Sequence, residues 1–263
     1  MAKAGWYWDC SFNPVAGCCE MSPGCRFCYS KHEIVTLHRE TEAQLYADIT
    51  TWLKGEPWFN GWTTAQSPGR GWYWPLFFRG VPNPVLGPGQ PSIIFVCDMS
   101  DLLYAYRPAA HIQQVVDVMD LCGHVGLFLN KTVYRYAEFF AHRRVNPRLL
   151  LGFSAENQTW FDRRWPYMRP FAQQGWFVWV SLAPLLGPIR LPDDSLELLR
   201  WVICGGEEGP NQYIRETNPN WMRSLRDQCR AAGIPLFVKR MHGEDPIPPD
   251  LYLREFPVLT QGG

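Results

Sequence analysis

Four of the chain's nine cysteines fall within eleven positions. They lie in NPVAGCCEMSPGCRFCYS, residues 13–30, where Cys18, Cys25 and Cys28 form C-x6-C-x2-C and Cys19 is a possible substitute for Cys18. Three chemistries suit such a cluster: a disulfide knot, a zinc site, or a cradle for an iron–sulfur group. A structural zinc ion wants four ligands, commonly two C-x2-C pairs or cysteines with histidines. Only one C-x2-C pair is present, so a zinc set would have to be Cys18, Cys25, Cys28 and His32. Three thiolates without an obligatory fourth suit a [4Fe–4S] cluster with one iron left open.

The redox compartment bears on the first option. The start of the chain, MAKAGWYWDC, lacks the apolar core of a signal peptide, and no run approaches the roughly 20 apolar residues of a membrane span. A cytoplasmic protein with no membrane partner is expected, in which thiols stay reduced. The cysteines then read as ligands plus buried hydrophobes, with Cys97, Cys122, Cys204 and Cys229 in apolar strands or helices and Cys10 an ordinary core thiol. The formal charge is zero, so no overall basic field draws the chain to nucleic acid.

The elements that must position these cysteines alternate. At 263 residues, 46% of them hydrophobic, the chain suits one large domain with a sizeable core. From residue 90 onward, apolar runs are separated by amphipathic stretches: SIIFVCDMS, HVGLFLNKT, LLLGFSAENQ, WFVWVSLAP, RWVICGGEEG and IPLFVKRM read as six strands. The N-terminal segment adds a further one before the cysteine loop. The intervening helices include 109–123, a segment broken or kinked near Pro166, a short one near 193–199, and one capped by Asn218 with Pro219 first and Gly233 as terminator. Strands that are apolar throughout and separated by helices predict a parallel sheet covered on both faces. The expected fold is α/β, a partial or complete (β/α) barrel of TIM type, with a doubly wound open sheet as the alternative.

In either architecture chemistry gathers beyond the C-terminal ends of the strands. Those ends carry Asp98, Ser100 and Asp101; Asn130 and Lys131; Ser154, Glu156 and Asn157; Ser181; Gly205, Gly206, Glu207 and Glu208; and Lys239. Ser100, Asp101 and Asn157 could equally cap the helices that follow. The GGEEG run is either a tight turn or a place where backbone approaches a ligand closely. Lys239, in an apolar strand, is either a paired structural charge or a ligand contact. Residues 42–90, rich in Trp, Gly and Pro, read as an ordered, irregular insertion within the single domain 1–263. Its aromatics either pack on the barrel or a neighbouring subunit, or form a stacking platform. With Arg70 and Arg79, this insertion is the candidate for substrate selection.

The cysteine segment also resembles the signature of a phage and bacterial group of radical-SAM-like proteins known only as phage proteins of unknown function, approximately WNPV-G-C-x2-VSPGC-x2-CYA. FVCDMSDLL, LGFSAENQ, LAPLLGPI, WVICGGEEGP and NPNWMRSLRDQCRAAGIPLFVKR each resemble a block of the same group, in the same order, over residues 8–30 and 92–241. The resemblance implies a radical-SAM type barrel with a [4Fe–4S] cluster and S-adenosylmethionine as cofactors. Cys18, Cys25 and Cys28 would hold the cluster, and Phe27 would lie near the adenine. Asp98 and Ser100 would sit near the methionine end, and Ser154, Glu156 and Asn157 near the ribose. Gly205, Gly206, Glu207, Glu208 and Lys239 would line the far side, with Lys239, Glu207 and Glu208 as candidate catalytic groups. An electron donor of flavodoxin or ferredoxin type is implied. The substrate would be a small molecule, or a nucleotide or DNA base modified in a bacterial or phage-infected cell. The alternative is a non-catalytic zinc or iron–sulfur module that binds nucleic acid or a protein. Departures from the pattern are the first cysteine gap, longer than the usual superfamily spacing C-x3-C-x2-C, and three strand-end changes, Ala183 before PLLGP, Asn130–Thr132 as NKT, and Glu208 in place of serine; the strand-end changes predict a shifted substrate specificity.

Overall fold

The computed structural model describes residues 6–28, 30, 50–53, 56–59, 61–63, 73–78, 91–208, 214–243 and 245–259. Its first strand, β1 (Cys10–Phe12), is followed by β2 (Ala16–Cys18), β3 (Thr50–Leu53), β4 (Glu56–Phe59) and β5 (Gly61–Thr63). A one-turn helix α1 (Trp74–Phe77) precedes β6 (Ile93–Val96), α2 (Ala109–Leu121) and β7 (Val125–Asn130). Then come α3 (Tyr136–Phe140), β8 (Leu149–Ser154), α4 (Gln158–Gln173), β9 (Phe177–Leu182), α5 (Asp193–Leu198), β10 (Trp201–Cys204), α6 (Pro219–Ala232) and β11 (Leu236–Val238).

Seven strands form one sheet in the order β1-β6-β7-β8-β9-β10-β11, every neighbouring pair parallel. Strand order follows chain order without reversal, as in a barrel and unlike a doubly wound sheet, whose order turns back at a switch point. Curvature follows from the aromatic core. The Tyr7 ring lies 6.2 Å from that of Phe95 on β6 and 5.6 Å from that of Phe237 on β11, centre to centre. In a flat sheet those strands, five spacings apart, would be separated by roughly 24 Å. The sheet is therefore rolled around Tyr7, which also meets Trp179 and Trp201. Among the described residues no pairing joins β1 to β11, so the barrel is an open half-barrel. An isolated bridge from Arg254 to Phe237 covers part of the β11 edge.

Two cores result. The concave face closes over Tyr7, Trp8, Phe95, Leu127, Leu150, Trp179, Trp201 and Phe237. The convex face packs under the helices, with Val115 and Met119 of α2, Phe161, Trp165 and Met168 of α4, and Leu225 of α6 all buried. Helix α6 has the predicted ends: the Asn218 side chain accepts from the Asn220 amide, and Gly233 adopts a left-handed φ of 68°. Of the break or kink expected near Pro166, helix α4 shows no break. It runs through both Pro166 and Pro170, because the buried face of Phe161, Trp165, Met168 and Phe171 holds it against the sheet. The segment after Asn130 is a 3-10 turn followed by the five residues of α3.

The insertion is not irregular throughout. Strand β4 pairs antiparallel with β3, and β5 pairs antiparallel with β2, placing Gly61 opposite Cys18. Arg70 and Arg79 lie outside the described residues. Among the described residues no helix is long and apolar enough to cross a membrane.

Candidate active site

Strand β2 delivers Cys18 to the C-terminal mouth of the half-barrel, and a 3-10 turn over Pro23–Cys25 delivers the second cysteine. Proline supplies the turn's preset φ. The turn is closed by the Cys25 amide donating to Ser22 O (2.9 Å) and the Arg26 amide to Pro23 O (3.3 Å). One more such bond, from the Cys28 amide to Cys25 O, brings in the third cysteine. All three thiols face one cavity, which Cys19 also lines. Its empty volume, open solvent at the mouth included, is about 1120 Å³. The Cys19 thiol engages the Tyr104 hydroxyl.

The loop rests on a buried charge network. Glu156, fully buried, accepts from Ser22 Oγ and pairs with Arg164 Nη1 at 3.1 Å and Lys131 Nζ at 3.4 Å. Lys131 Nζ also donates to Cys25 Sγ at 3.2 Å. These contacts set the protonation states. Burial pushes Glu156 up, yet Lys131 and Arg164 hold it below the usual carboxylate range. Burial likewise raises Cys25, but the Lys131 ammonium, the loop backbone and Ser22 bring its thiol below the ordinary value. Cys18 is raised, first by burial and then by Asp101, with the nearby Cys25 and Cys28 adding to it. Cys28 Sγ lies 3.0 Å from Ser30 Oγ.

Gly24 shows how tightly the loop sits. A Cβ there would lie 2.6 Å from Glu156 Cγ and 2.7 Å from its Oε1. The glycine of SPGC is thus a close-approach residue, and its partner is a side chain beyond another strand.

Among the predicted site residues, Cys18, Cys25, Phe27, Cys28, Asp98, Ser100, Ser154, Gly206, Glu207, Glu208 and Lys239 converge on this one cavity. Asp98 accepts from Ser11 Oγ (2.7 Å) and Asn13 Nδ2 (2.6 Å), and burial raises its pKa against those donors. Lys239 is lowered by burial, with Glu208 at 3.4 Å opposing the shift. Glu207 is occupied by Arg215, whose amide and Nε both donate to its Oε2 at 2.9 Å.

Three predicted residues stand elsewhere. Glu156 lies beneath the cysteine loop, as described. The Asn157 side chain caps α4 by accepting from the Trp160 amide at 3.2 Å. Gly205 sits behind Lys239, whose Cβ would be 3.1 Å from a Cβ added there. The paired glycines of GGEEG therefore admit the chain's own backbone. A side chain at Gly206 would collide with Met241 and His242. Asp101 proves to be a buried brace, accepting from the amides of Leu103, Lys131 and Thr132.

A family model described as Protein of unknown function (DUF5131) matches residues 3–247. The chain belongs to this family. No curated protein and no solved structure matches it. The match takes in the cysteine loop, the insertion and all seven sheet strands of this DUF5131 member.

Two groups at the DUF5131 site had no assigned role in the sequence. Lys131 stood at a strand end, where the argument made for Lys239 applies equally. Arg215 had no signal, since it follows a loop without periodicity. It joins Glu207 to the cysteine loop by donating to Pro23 O at 2.8 Å, with its guanidinium 5.5 Å from the Phe27 ring centre. Among the described residues no group of three or more His, Cys, Asp or Glu side chains is set to hold a metal ion. A single zinc ion would draw its sulfurs to about 3.8 Å from one another, from Zn–S bonds of about 2.3 Å in a tetrahedron. A four-iron cluster takes each thiolate on a different iron and so accepts a wider triangle. His32, the fourth member of the zinc set, lies outside the described residues.

Proposed function

We propose that this chain is a radical SAM enzyme on a TIM-like half-barrel, using a [4Fe–4S] cluster and S-adenosylmethionine to act on a small molecule or nucleotide. The observation that supports the reading is the convergence of Cys18, Cys25 and Cys28 with the polar ends of six sheet strands on one cavity at the C-terminal mouth of the barrel. The donor set fits the group: three thiols and, among the described residues, no committed fourth ligand, with a cation beside Cys25 to favour the thiolate. When bound, the cluster and S-adenosylmethionine supply one-electron opening of a sulfonium and a 5′-deoxyadenosyl radical that takes a hydrogen atom.

The chain's own residues would hold and aim these groups. Cys18, Cys25 and Cys28 would carry the cluster. Asp98, kept in place by Ser11 and Asn13, offers a carboxylate to the amino group of S-adenosylmethionine, and Ser154 a hydroxyl to the ribose. Tyr7, Trp8 and Phe95 close the cavity floor and exclude water from it. On the opposite wall Lys239 and Glu208 form a paired charge that a polar substrate can engage. An electron carrier of flavodoxin or ferredoxin type would supply the electron. The changed strand-end residues Ala183 and Glu208, which line the cavity, would set specificity, whereas Asn130 is buried away from it, donating to the Tyr136 hydroxyl and accepting from the Leu103 amide.

Anaerobic reconstitution with iron and sulfide tests the reading. The expected product is a brown protein that releases 5′-deoxyadenosine when given S-adenosylmethionine and a reductant. Alanine at Cys18, Cys25 or Cys28 should abolish iron uptake, whereas alanine at the fully buried Cys204 or at Cys229 should leave it unchanged. A colourless protein holding one tightly bound zinc would sink the proposal.

A further inference from the structure

We infer that Lys131 is the counter-charge of the cysteine loop, a positioning residue that holds Cys25 and raises the reduction potential of the iron–sulfur group bound there. The inference rests on the cluster reading above and goes beyond it by naming what tunes the cluster.

Charge bookkeeping carries the argument. Glu156 has one negative charge and two cations, Arg164 at 3.1 Å and Lys131 at 3.4 Å. Glu156 is fully buried, and the side chains of Arg164 and Lys131 are 3% and 19% exposed. Arg164 alone neutralises Glu156, and its Nη1 also donates to Ser154 O at 2.8 Å. Lys131 is then a surplus positive charge in a poorly hydrated place, which is costly unless a second anion faces it. The group that faces it is Cys25 Sγ, at 3.2 Å. An anionic ligand sulfur at Cys25 would give the Lys131 ammonium a second partner beside Glu156 at hydrogen-bond distance.

Lys131 is also aimed rather than merely near. Its backbone amide donates to Asp101 Oδ2 at 2.7 Å, and so does the amide of Thr132 at 3.0 Å, which fixes the start of the side chain where β7 ends. The three cysteines are treated unequally as a result. Cys25 receives an ammonium, Cys28 faces a neutral hydroxyl, and Cys18 has the Asp101 carboxylate among its neighbours. Reduction adds a negative charge to a cluster. A cation hydrogen-bonded to one ligand sulfur stabilises the reduced state more than the oxidised one, so the potential rises.

The test is an EPR-monitored redox titration of the reconstituted full chain, comparing wild type with Lys131→Gln, Lys131→Arg and Glu156→Gln. Lys131→Gln should lower the midpoint potential, and Lys131→Arg should restore it toward the wild-type value. Glu156→Gln, which removes a buried negative charge and leaves Arg164 without its anion, should shift it the opposite way, upward. A role limited to packing the loop would not produce shifts of opposite sign. Should Lys131→Gln fail to take up iron, Lys131→Met, which keeps the reach of the side chain and drops its charge, is titrated in its place and should show the same downward shift. Potentials unchanged from wild type in Lys131→Gln or in Glu156→Gln would overturn the role of Lys131 and leave the cluster reading standing. A wild-type chain that takes up no iron would overturn both.

Discussion

Substituting Gly24 by alanine tests whether the cysteine loop is seated on Glu156 as closely as the geometry requires. The new methyl would lie 2.6, 2.7 and 3.0 Å from Glu156 Cγ, Oε1 and Cδ, where carbon atoms settle at about 3.5–4.0 Å. Something must move by roughly 1 Å. The carboxylate is the poorer candidate, since Ser22, Lys131 and Arg164 hold it and the Leu186 amide donates to its backbone carbonyl at 2.7 Å. The loop must therefore lift. Overpacking of this kind costs about 1–3 kcal/mol. Loss of the Ser22 hydrogen bond to a buried carboxylate adds about 1.5–3 kcal/mol. Against this, alanine restricts the unfolded chain and returns about 0.4–1 kcal/mol. The expected net loss is about 2–5 kcal/mol, read as a lower urea midpoint at unchanged m-value, together with reduced iron uptake on reconstitution. Gly123→Ala is the control, because a Cβ there meets nothing within 4 Å, and it should change stability by less than about 0.5 kcal/mol. A Gly24→Ala chain that unfolds at the wild-type midpoint and loads iron normally would refute the seating argument.

Glu156→Gln should cost about 3–5 kcal/mol at pH 7, as the loss of the anion in a buried ion pair does. Because Lys131 and Arg164 hold the Glu156 carboxyl below its ordinary range, its stabilisation is complete above the unfolded value near pH 4.3 and is lost as pH falls through the lower folded value. The gap in urea midpoint between wild type and Glu156→Gln should thus stay constant from pH 7 to about 5 and narrow below that; a gap that widens on acidification would contradict the assignment. Tyr136→Phe removes a buried hydroxyl that donates to Gly152 O at 2.8 Å and accepts from Asn130 Nδ2 at 2.9 Å. It should cost about 1–3 kcal/mol by equilibrium unfolding, and a neutral result would mean that both groups find other partners.

Local pattern made most of the scaffold legible. Each apolar run after residue 90 became a strand of the sheet, since a strand buried on both faces needs no alternation and leaves an unbroken hydrophobic signature. Helix α6 was legible for a different reason: its cap, first-turn proline and terminal glycine act within a few residues of one another. Where the reading failed, the deciding partner was distant in sequence. Pro166 and Pro170 signal a break, but the packed face of α4 outweighs two missing hydrogen bonds. In the insertion, β5 depends on pairing with β2, more than forty residues earlier, whereas β3 and β4 pair locally with each other.

The strand-end residues show the same limit within the site. Asp98, Asp101, Glu156 and Asn157 look alike in sequence, each a polar residue after an apolar run, and each suits either capping or ligand binding. What separates them is how their acceptors are spent. Asp101 gives its oxygens to three backbone amides and Asn157 to one, while Glu156 is enclosed by two cations and a hydroxyl. Asp98 is held by side chains from the first strand and its flank; it lines the cavity, as does Asp101, whose oxygens are however taken by backbone amides. Residues whose oxygens are consumed by the fold build the seat of the cysteine loop, and those left facing the cavity are available to a ligand. Glu156 belongs to the first group, and it matters to the site by fixing Lys131 and Ser22, which in turn fix the loop that carries Cys25. A site of this kind is inherited from the barrel's mouth but assembled by contacts such as Ser22 to Glu156, 134 positions apart, which no local spacing encodes.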